Sequence, residues 1–464
     1  MPAADLAAAR LSPRHGGRDA ARVAASATAP VDAGRIDAVR ARLAHAAGDP
    51  GFRVDRVPFS DLAGWGFTGA AGALVHDSGR FFSVAGLRVR TDTGAVNEWS
   101  QPIIHQPEVG ILGILAKRVD GVLRLLMQVK MEPGNPNLVQ LSPTVQATHS
   151  NYTRAHRGRP VRFLEYFIRP RRVLADVLQS EHGSWFYGKR NRNMIVEVTG
   201  DVPGHPDFHW LTVAEIGALL RHDNLVNMDA RTVLACAPLP PRHGRAAHSD
   251  VELLSWFTGE RTRRRVHTEP LPLGRTPGWE RTADCIRHEA GRYFRVVGVD
   301  VRAATREVHR WTQPLIEPVG RGVVAFLTRE IDGVAHVLAH ARTEGGFRDT
   351  VELGPTVQCD PGSHRHLPPA ARPAYLDAVL NAPPERVRYR AVHAEEGGRL
   401  LNAENSYLVV EASGPDARRP PPPDFRWVTP DQLGMLVRHG QYVNVQARTL
   451  LACINTGAAR LTGT

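Results

Sequence analysis

The chain carries a tandem duplication. Residues 99–104 (WSQPII) recur as residues 311–316 (WTQPLI), and residues 140–146 (QLSPTVQ) recur as residues 352–358 (ELGPTVQ). In both cases the second copy begins 212 positions after the first. Solenoid repeats are about 20 to 50 residues long, so a period of this size indicates two copies of a whole domain.

Further matching strings give the bounds of the two copies. Residues 226–232 (VNMDART) correspond to residues 443–449 (VNVQART), and a cysteine follows each string, at Cys236 and Cys453. An Arg-rich transit peptide is an alternative to disorder for the N-terminal segment, which is rich in Ala and Arg. The predicted domains are a disordered tail (1–34), repeat one (35–236), a linker (237–249) and repeat two (250–458).

Composition fits two ordinary globular domains. The chain has 464 residues, of which 42% are hydrophobic, and no apolar run approaches the length of a membrane span. The N-terminus lacks the apolar segment of a signal peptide. The four cysteines form no CxxC pair, which favours buried thiols over zinc or disulfides. We therefore expect a cytoplasmic protein without a membrane partner.

The formal net charge of +11 favours a partner that carries negative charge. The arginines are scattered, however, and the one dense run (261–265) lies shortly after the linker. No nucleic-acid motif is present. The charge is therefore compatible with a small ligand that bears phosphate, and we expect no nucleic-acid partner.

Local patterns predict an α+β module. Apolar residues at helical spacing indicate a helix over residues 36–43. Asp120-Gly121 lies between two apolar runs and predicts a hairpin, which Asp332-Gly333 repeats. Capping boxes begin a helix near the end of each repeat, at Thr212 and Thr429. Each repeat is thus predicted to be a mixed β-sheet with flanking helices.

Several long strings together resemble one family, the NDP-hexose 2,3-dehydratases. The resemblance covers roughly residues 50–455. The strings that carry it are WSQPII and WTQPLI, residues 131–135 (MEPGN), 140–152 (QLSPTVQATHSNY), 184–193 (SWFYGKRNRN), 352–359 (ELGPTVQC), 395–399 (EEGGR) and 403–411 (AENSYLVVE).

The resemblance implies two Nudix-like modules, a homodimer, and dTDP-4-keto-6-deoxy-D-glucose as substrate. The implied enzyme is a lyase that acts before a 3-ketoreductase, in deoxysugar and antibiotic biosynthesis, without a metal or redox cofactor. The sequence agrees in one respect. No cluster of glutamates of the kind that holds Mg²⁺ in Nudix hydrolases follows Glu132 or Glu344, which disfavours diphosphate hydrolysis.

The implied elimination requires a base for the C3 proton, donors for the enolate oxygen at C4, and an acid for the C2 hydroxyl. We expect these groups in repeat one. Tyr152 or Tyr187 could donate to the enolate oxygen, and His149 or Glu132 could be the base. Lys189 could hold phosphate or lower the pKa of a tyrosine.

For the nucleotide, Trp65 and Trp279 offer flat apolar faces to a thymine ring, and arginines and small polar groups suit a diphosphate. The two Trp-x-Gln-Pro strings are expected to be scaffold, because both repeats keep them. The other predicted binding residues are Thr148, His149, Ser150, Asn151, Tyr152, Ser184, Trp185, Arg190, Arg365, Gly397, Gly398, Arg399, Asn402, Ala403, Glu404 and Asn405.

Two alternatives remain open at this level. A Nudix-derived protein could bind a nucleotide or nucleotide sugar without reacting, and the net charge would suit a nucleic-acid-binding protein. The sequence predicts one pocket in each repeat. Repeat two departs from the family pattern at His340, Arg342 and Gly345, which leaves open whether its pocket is catalytic.

Overall fold

The computed structural model describes residues 13–69, 72–94, 96–148, 161–242, 244–303, 308–368 and 371–461. The helices are α1 Pro13–Ala27, α2 Ala33–Ala47, α3 Glu165–Ile168, α4 Val213–Leu219, α5 Met228–Ala235, α6 Asp250–Arg263, α7 Pro361–His364, α8 Leu376–Leu380, α9 Gly414–Arg418, α10 Pro430–Val437 and α11 Val445–Asn455.

The strands of the first half are β1 Phe52–Val57, β2 Trp65–Phe67, β3 Ala73–His76, β4 Ser83–Thr91, β5 Glu98–His105, β6 Gly110–Val119, β7 Val122–Met131, β8 Val139–Ser142, β9 Val145–Ala147, β10 Arg172–Ser180, β11 Arg190–Glu197 and β12 Phe208–Leu211. Those of the second half are β13 Val266–Leu271, β14 Trp279–Arg281, β15 Cys285–His288, β16 Phe294–Ala303, β17 Arg310–Pro318, β18 Gly322–Ile331, β19 Val334–Arg342, β20 Glu352–Gly354, β21 Val357–Cys359, β22 Val387–Ala394, β23 Glu404–Glu411 and β24 Phe425–Val428.

The predicted α+β class and duplication are confirmed. Within the described residues, each repeat contributes a seven-stranded sheet, β6–β12 in repeat one and β18–β24 in repeat two. One pair in each of these large sheets is parallel, β6 with β11 and β18 with β23. Each repeat also has a five-stranded small sheet, built around β2–β5 or β14–β17.

The fifth strand of each small sheet comes from the other repeat. Strand β1 pairs with β16, from Phe52 opposite Ala303 to Val57 opposite Gly298. Strand β13 in turn pairs with β4. The repeats therefore interlock by a reciprocal exchange of strands. A sequence pattern indicates that a segment is a strand, but it does not show which sheet that strand joins.

The local signals of the sequence are confirmed where they are strongest. Asp120 and Gly121 have φ of 49° and 83°, the positive values that a type I′ hairpin turn requires at both central residues. Both capping boxes are present, with Thr212 accepting from Glu215 and Thr429 from Gln432.

The predicted disordered tail is wrong from residue 13 onward. Helix α1 packs on repeat one, where the hydroxyl of Ser26 donates to the Leu123 carbonyl at 2.6 Å. Val23 is buried, and Arg22 pairs with Glu197. Alanine favours helices strongly, so an Ala-rich segment with an apolar face forms a helix once a sheet covers that face. Residues 1–12 lie outside the described part of the chain.

Two buried arginines join the repeats at the centre. Arg231 in α5 donates to the carbonyls of Val226 in its own repeat and Ala394 in the other, both at 2.6 Å. Arg448 in α11 makes the same two contacts in the opposite sense, to Val443 and Ser180. These bonds fix the ends of β22 and β10, from which the loops at the cavity continue. None of the helices described is long and apolar enough to cross a membrane.

Candidate active site

A turn of repeat one crosses into a loop of repeat two and brings their side chains together. The amide of Gly134 donates to the Gly397 carbonyl at 2.7 Å, and the amide of Asn402 donates to the Gly134 carbonyl at 2.8 Å. A Cβ on Gly134 would lie 1.7 Å from the Leu400 carbonyl oxygen, so only glycine permits this approach. Glu132 and Glu396 thereby meet in one cavity.

The cavity lies between the large sheet of repeat one, the small sheets and this crossing loop. Its aromatic wall is formed by Trp65, Phe82, Phe186 and Trp311. Its polar lining includes Gln106, Lys130, Glu132, Gln146, Thr148, Glu181, Lys189, Asn191, Asp229, Gln313, Glu396 and Arg399. Apolar walls with a few convergent polar groups are typical of small-molecule sites.

Three carboxylates converge on the cavity. Oxygen atoms of Glu132, Asp229 and Glu396 all lie within 4.8 Å of one another. Glu132 directly follows β7, and Asp229 lies in the first turn of α5, whose N-cap is Asn227. Glu396 comes from repeat two, just after β22. The cluster therefore exists only because the repeats interlock.

Glu132 is held by its neighbours in repeat one. Its Oε1 accepts from Nε2 of Gln146 at 2.5 Å, and its Oε2 accepts from Nδ2 of Asn227 at 3.2 Å. The ammonium of Lys130 lies 3.9 Å from Oε1. Both oxygens of Glu132 thus have hydrogen-bond partners before a ligand arrives.

Asp229 and Glu396 hold protons more strongly than ordinary carboxyl groups. Burial raises the pKa of Asp229 well above its usual value, and the charge of Glu132 adds to the effect. Burial also raises the pKa of Glu396 to about 7, although Arg399 opposes the shift. The cluster therefore pairs a carboxyl group whose pKa is strongly raised with one whose pKa is about 7, an arrangement suited to proton transfer.

Three cations share the cavity. The ammonium of Lys189 donates to the Glu108 carbonyl, and burial lowers the pKa of Lys189. The guanidinium of Arg399 lies 4.3 Å from the ring centroid of Phe82. Lys130 is the third. The three carboxylates have the chemistry to ligate a divalent ion, but these three cations and the raised pKa values of Asp229 and Glu396 disfavour binding of such an ion.

Comparisons with known proteins identify the family of this chain. The family described as NDP-hexose 2,3-dehydratase matches residues 37–237 and 250–454. The chain belongs to this family. A dTDP-4-dehydro-6-deoxy-alpha-D-glucopyranose 2,3-dehydratase of Amycolatopsis orientalis is 54% identical over 465 residues, covering 99% of this chain and 98% of that protein.

Proteins of the same name from two other organisms are also similar. The one from Streptomyces violaceoruber is 53% identical over 88% of this chain and 95% of its own length. The one from Saccharopolyspora spinosa is 49% identical over 89% of this chain and 90% of its own length. The predicted family and its dehydratase class are therefore confirmed.

Several site residues predicted for this dehydratase family member do line the cavity. They are Trp65, Glu132, Thr148, Lys189, Gly398 and Arg399. Trp65 is buried against Phe82, and its indole N–H donates to the Thr312 carbonyl of the other repeat at 2.9 Å. Gly397 lies against Glu132, since a Cβ there would be 3.0 Å from the Glu132 Cβ.

Other predicted residues lie away from the cavity. The Tyr187 hydroxyl lies 3.3 Å from that of Thr268, with its ring packed beside Leu87 and Val89. Trp279 occupies the equivalent of Trp65 in the other small sheet and donates to the Ser100 carbonyl. These placements make Tyr187 an unfavourable donor for a ligand in this cavity.

The remaining predicted residues have structural partners or are exposed. Glu404 accepts from Asn224 at 2.5 Å and from Arg321 at 3.0 Å. Arg365 is exposed at the end of α7. Eight predicted binding residues do not line the cavity, namely Ser184, Trp185, Arg190, Gly397, Asn402, Ala403, Glu404 and Asn405. His149, Ser150, Asn151 and Tyr152 lie outside the described residues.

Asp229 and Glu396 are not among the site residues that the sequence predicted. Asp229 stands where repeat two has Gln446, so a carboxylate present in only one of two matched strings was the available signal. Glu396 belongs to repeat two in the sequence, but it completes the cavity of repeat one. Trp311 and Gln313, expected to be scaffold, also line this cavity.

Proposed function

We propose that this chain is a dTDP-4-keto-6-deoxy-D-glucose 2,3-dehydratase. The observation that carries the proposal is the pairing of Asp229 with Glu396 in one cavity, together with the names of the three relatives. In the reaction the C3–H and C2–O bonds break, a C2=C3 double bond forms, and water leaves. The resulting enol takes up a proton at C2 to give the 3,4-diketo-2,6-dideoxy sugar nucleotide.

Glu396 is assigned as the base and Asp229 as the acid. A carboxylate whose pKa is about 7 can take the C3 proton, whose acidity comes from the adjacent C4 ketone. Asp229, whose pKa burial raises well above its usual value, is assigned to donate its proton to the departing C2 hydroxyl. Glu132 is one of the two bases that the sequence suggested, but both of its oxygens already accept hydrogen bonds. We assign its charge to stabilising the proton on Asp229.

The short distance between acid and base fits the stereochemistry of the substrate. In the gluco configuration the C3 hydrogen and the C2 hydroxyl lie on the same face of the ring. Carboxyl oxygens within 4.8 Å of each other can therefore serve both atoms from one side. We assign the enolate oxygen at C4 to Lys189 from the described residues, with Tyr152 as a second donor.

The nucleotide is placed along the aromatic wall. Trp65 lines the cavity, and the Arg399 guanidinium, which lies over the ring of Phe82 in the same wall, is assigned to a phosphate of the ligand. His149, Ser150 and Asn151 directly follow the cavity residue Thr148 in the chain and are assigned to the diphosphate. The proposal also includes a homodimer, Nudix-like ancestry of both repeats, a cytoplasmic location, and a 3-ketoreductase acting next in deoxysugar and antibiotic biosynthesis.

One assay separates this function from binding without reaction. The protein is incubated with dTDP-4-keto-6-deoxyglucose, a 3-ketoreductase and NADPH, and the product is analysed by mass spectrometry. Loss of the C2 oxygen supports the dehydratase. Intact substrate, with dTDP binding detected by calorimetry, would instead identify a binding protein.

A further inference from the structure

Resting on the proposed function, we propose that Gln313 is a positioning residue that holds the Glu396 carboxylate in place through the backbone of Gly398. Gln313 belongs to the Trp-x-Gln-Pro string of repeat two, in strand β17. The string was expected to be only scaffold. The structure connects it to the reacting carboxylate by three successive hydrogen bonds.

The three bonds run from the sheet to the cluster. The indole N–H of Trp311 donates to Oε1 of Gln313 at 3.2 Å, and Nε2 of Gln313 donates to the Gly398 carbonyl at 2.8 Å. The Gly398 amide then donates to Oε1 of Glu396 at 3.0 Å. Because the indole can only donate, it fixes the Gln313 amide with its nitrogen toward the loop.

Gly398 needs such an anchor. A Cβ at this position would lie 2.5 Å from Oε1 of Glu396 and would displace that carboxylate oxygen, so the present position of Glu396 depends on glycine here. Glycine is conformationally free, and a free Gly398 would not keep its N–H directed at one carboxylate oxygen. Arg399 also donates to the Gly398 carbonyl at 2.8 Å, but it belongs to the same loop. Gln313 is buried in a paired strand and ties the loop to the sheet.

Repeat one provides a matched control. There the Trp99 indole donates to Gln101 at 2.9 Å, and Gln101 donates to the Ser184 carbonyl at 2.6 Å. The residue of that loop equivalent to Glu396 is His182, which contacts Glu395 and does not line the cavity. The two glutamines therefore make the same structural bond, and only Gln313 connects to a reacting group.

The distinguishing readout is the pH profile of kcat/KM. The Gly398 N–H lowers the pKa of Glu396, so loss of the anchor raises the midpoint of the limb that reports the base. The other charged groups that face Glu396 are unchanged in the variants. They are Glu132, Glu181, Lys189, Asp229 and Arg399.

The experiment compares Gln313→Met with Gln101→Met in the full chain. We expect Gln313→Met to lower kcat by roughly ten- to a hundredfold, the order of a small misplacement of a reacting group, with KM little changed and the midpoint shifted upward. Gln101→Met should lower the thermal stability by about as much as Gln313→Met does, but its pH profile should keep the wild-type midpoint. Trp311→Phe, which frees the Gln313 amide, should shift the midpoint in the same direction and serves if Gln313→Met fails to fold.

The outcomes are separable. The inference would be overturned if Gln313→Met and Trp311→Phe both kept the wild-type kcat and the wild-type midpoint of the pH profile. So would an equal shift in Gln101→Met, because the effect would then be general loss of rigidity. Absence of dehydration by the wild-type protein would refute the proposed function itself rather than the role of Gln313.

Discussion

Nε2 of His182 lies 2.7 Å from Oε2 of Glu395, and both side chains are fully buried. The pair joins the loop that follows β10 in repeat one to the loop that follows β22 in repeat two. Glu395 also accepts from the Tyr407 hydroxyl at 2.6 Å. The neighbouring residue, Glu396, is the proposed base. A buried ion pair thus fastens the two loops next to the reacting groups.

Replacing His182 with Gln should destabilise the protein by about 3 kcal/mol, because removal of one partner leaves a buried carboxylate without its counter-charge. Urea unfolding measures the change. His222→Gln, at an exposed position, is the control and should have little effect. A stability equal to the wild type at pH 6 would show that His182 and Glu395 are not an ion pair.

The same pair predicts a dependence of stability on pH. Burial alone lowers the pKa of His182, but the carboxylates of Glu181 and Glu395 outweigh it and raise the pKa to about 9. The unfolded histidine titrates near 6.5. The contribution of His182 is therefore complete below pH 6.5 and is lost as the pH rises through about 9. The difference between wild type and His182→Gln should shrink over this range.

Glu396→Gln and Asp229→Asn should each lower kcat/KM by about 10²- to 10⁴-fold while dTDP binding persists, because each removes a proton-transfer group. The exposed Glu385→Gln is the control. In the wild type, kcat/KM should rise with pH through about 7 as Glu396 ionises, and fall at higher pH as Asp229 loses its proton. A rising limb centred near 4.5 would argue against Glu396 as the base.

Gly134→Ala should be strongly destabilising and should abolish turnover, since its Cβ would lie 1.7 Å from the Leu400 carbonyl oxygen. The atoms that it would meet belong to the backbone, so they cannot move apart without displacing the loop that carries Glu396. Gly259→Ala, in the middle of α6 with nothing within 4 Å of its Cβ, should instead stabilise by about 1 kcal/mol. Thermal unfolding of both variants tests the contrast, and similar melting temperatures would contradict it.

Trp65→Leu should weaken dTDP binding by roughly fivefold or more, because base–aromatic stacking contributes about 1–3 kcal/mol per base. Trp279→Leu removes an equivalent indole bond, to Ser100 rather than Thr312, and is the matched control for folding. Calorimetry measures the affinity for dTDP, and steady-state kinetics with the sugar nucleotide measure kcat/KM. An unchanged kcat/KM in Trp65→Leu would remove the stacking assignment.

Chelation should leave turnover unchanged, because Lys130 and Arg399 already supply positive charge around the three carboxylates. The measurement is the rate after dialysis against EDTA, compared with the rate after addition of Mg²⁺ or Zn²⁺. Loss of activity that added metal restores would assign the cluster Glu132, Asp229 and Glu396 to a cation instead.

The parts of the fold that the sequence predicted are local. The Asp120-Gly121 turn and the caps at Thr212 and Thr429 depend on residues a few positions apart, and they are confirmed. The exchange of β1 and β13 depends on pairing between residues that lie 175 to 251 positions apart, which no local pattern encodes. Helix α1 was missed because its stability comes from the sheet that covers it.

The same distinction explains the site. Glu132 and Lys189 were found because they lie in strings that resemble the dehydratase family, and Trp65 because an indole offers a flat apolar face to a base. Glu396 was not predicted, since the sequence indicates one pocket in each repeat, whereas the cavity is lined by residues of both repeats. Asp229 was not recognised because other members of its string have structural roles. Asn227 caps a helix, and Arg231 joins the two repeats.

The exchanged strands also constrain the order of events during synthesis on the ribosome. Residues 52–57 of β1 have no partner strand until β16, which ends at Ala303, has left the exit tunnel. At about 5–20 residues per second this delay is on the order of ten to fifty seconds. Throughout that interval the nascent first half presents an unsatisfied strand, exposed to mispairing. Slow regions of the message, or a chaperone that shields residues near the N-terminus, would therefore influence the yield of this enzyme more than that of a protein whose domains close one after the other.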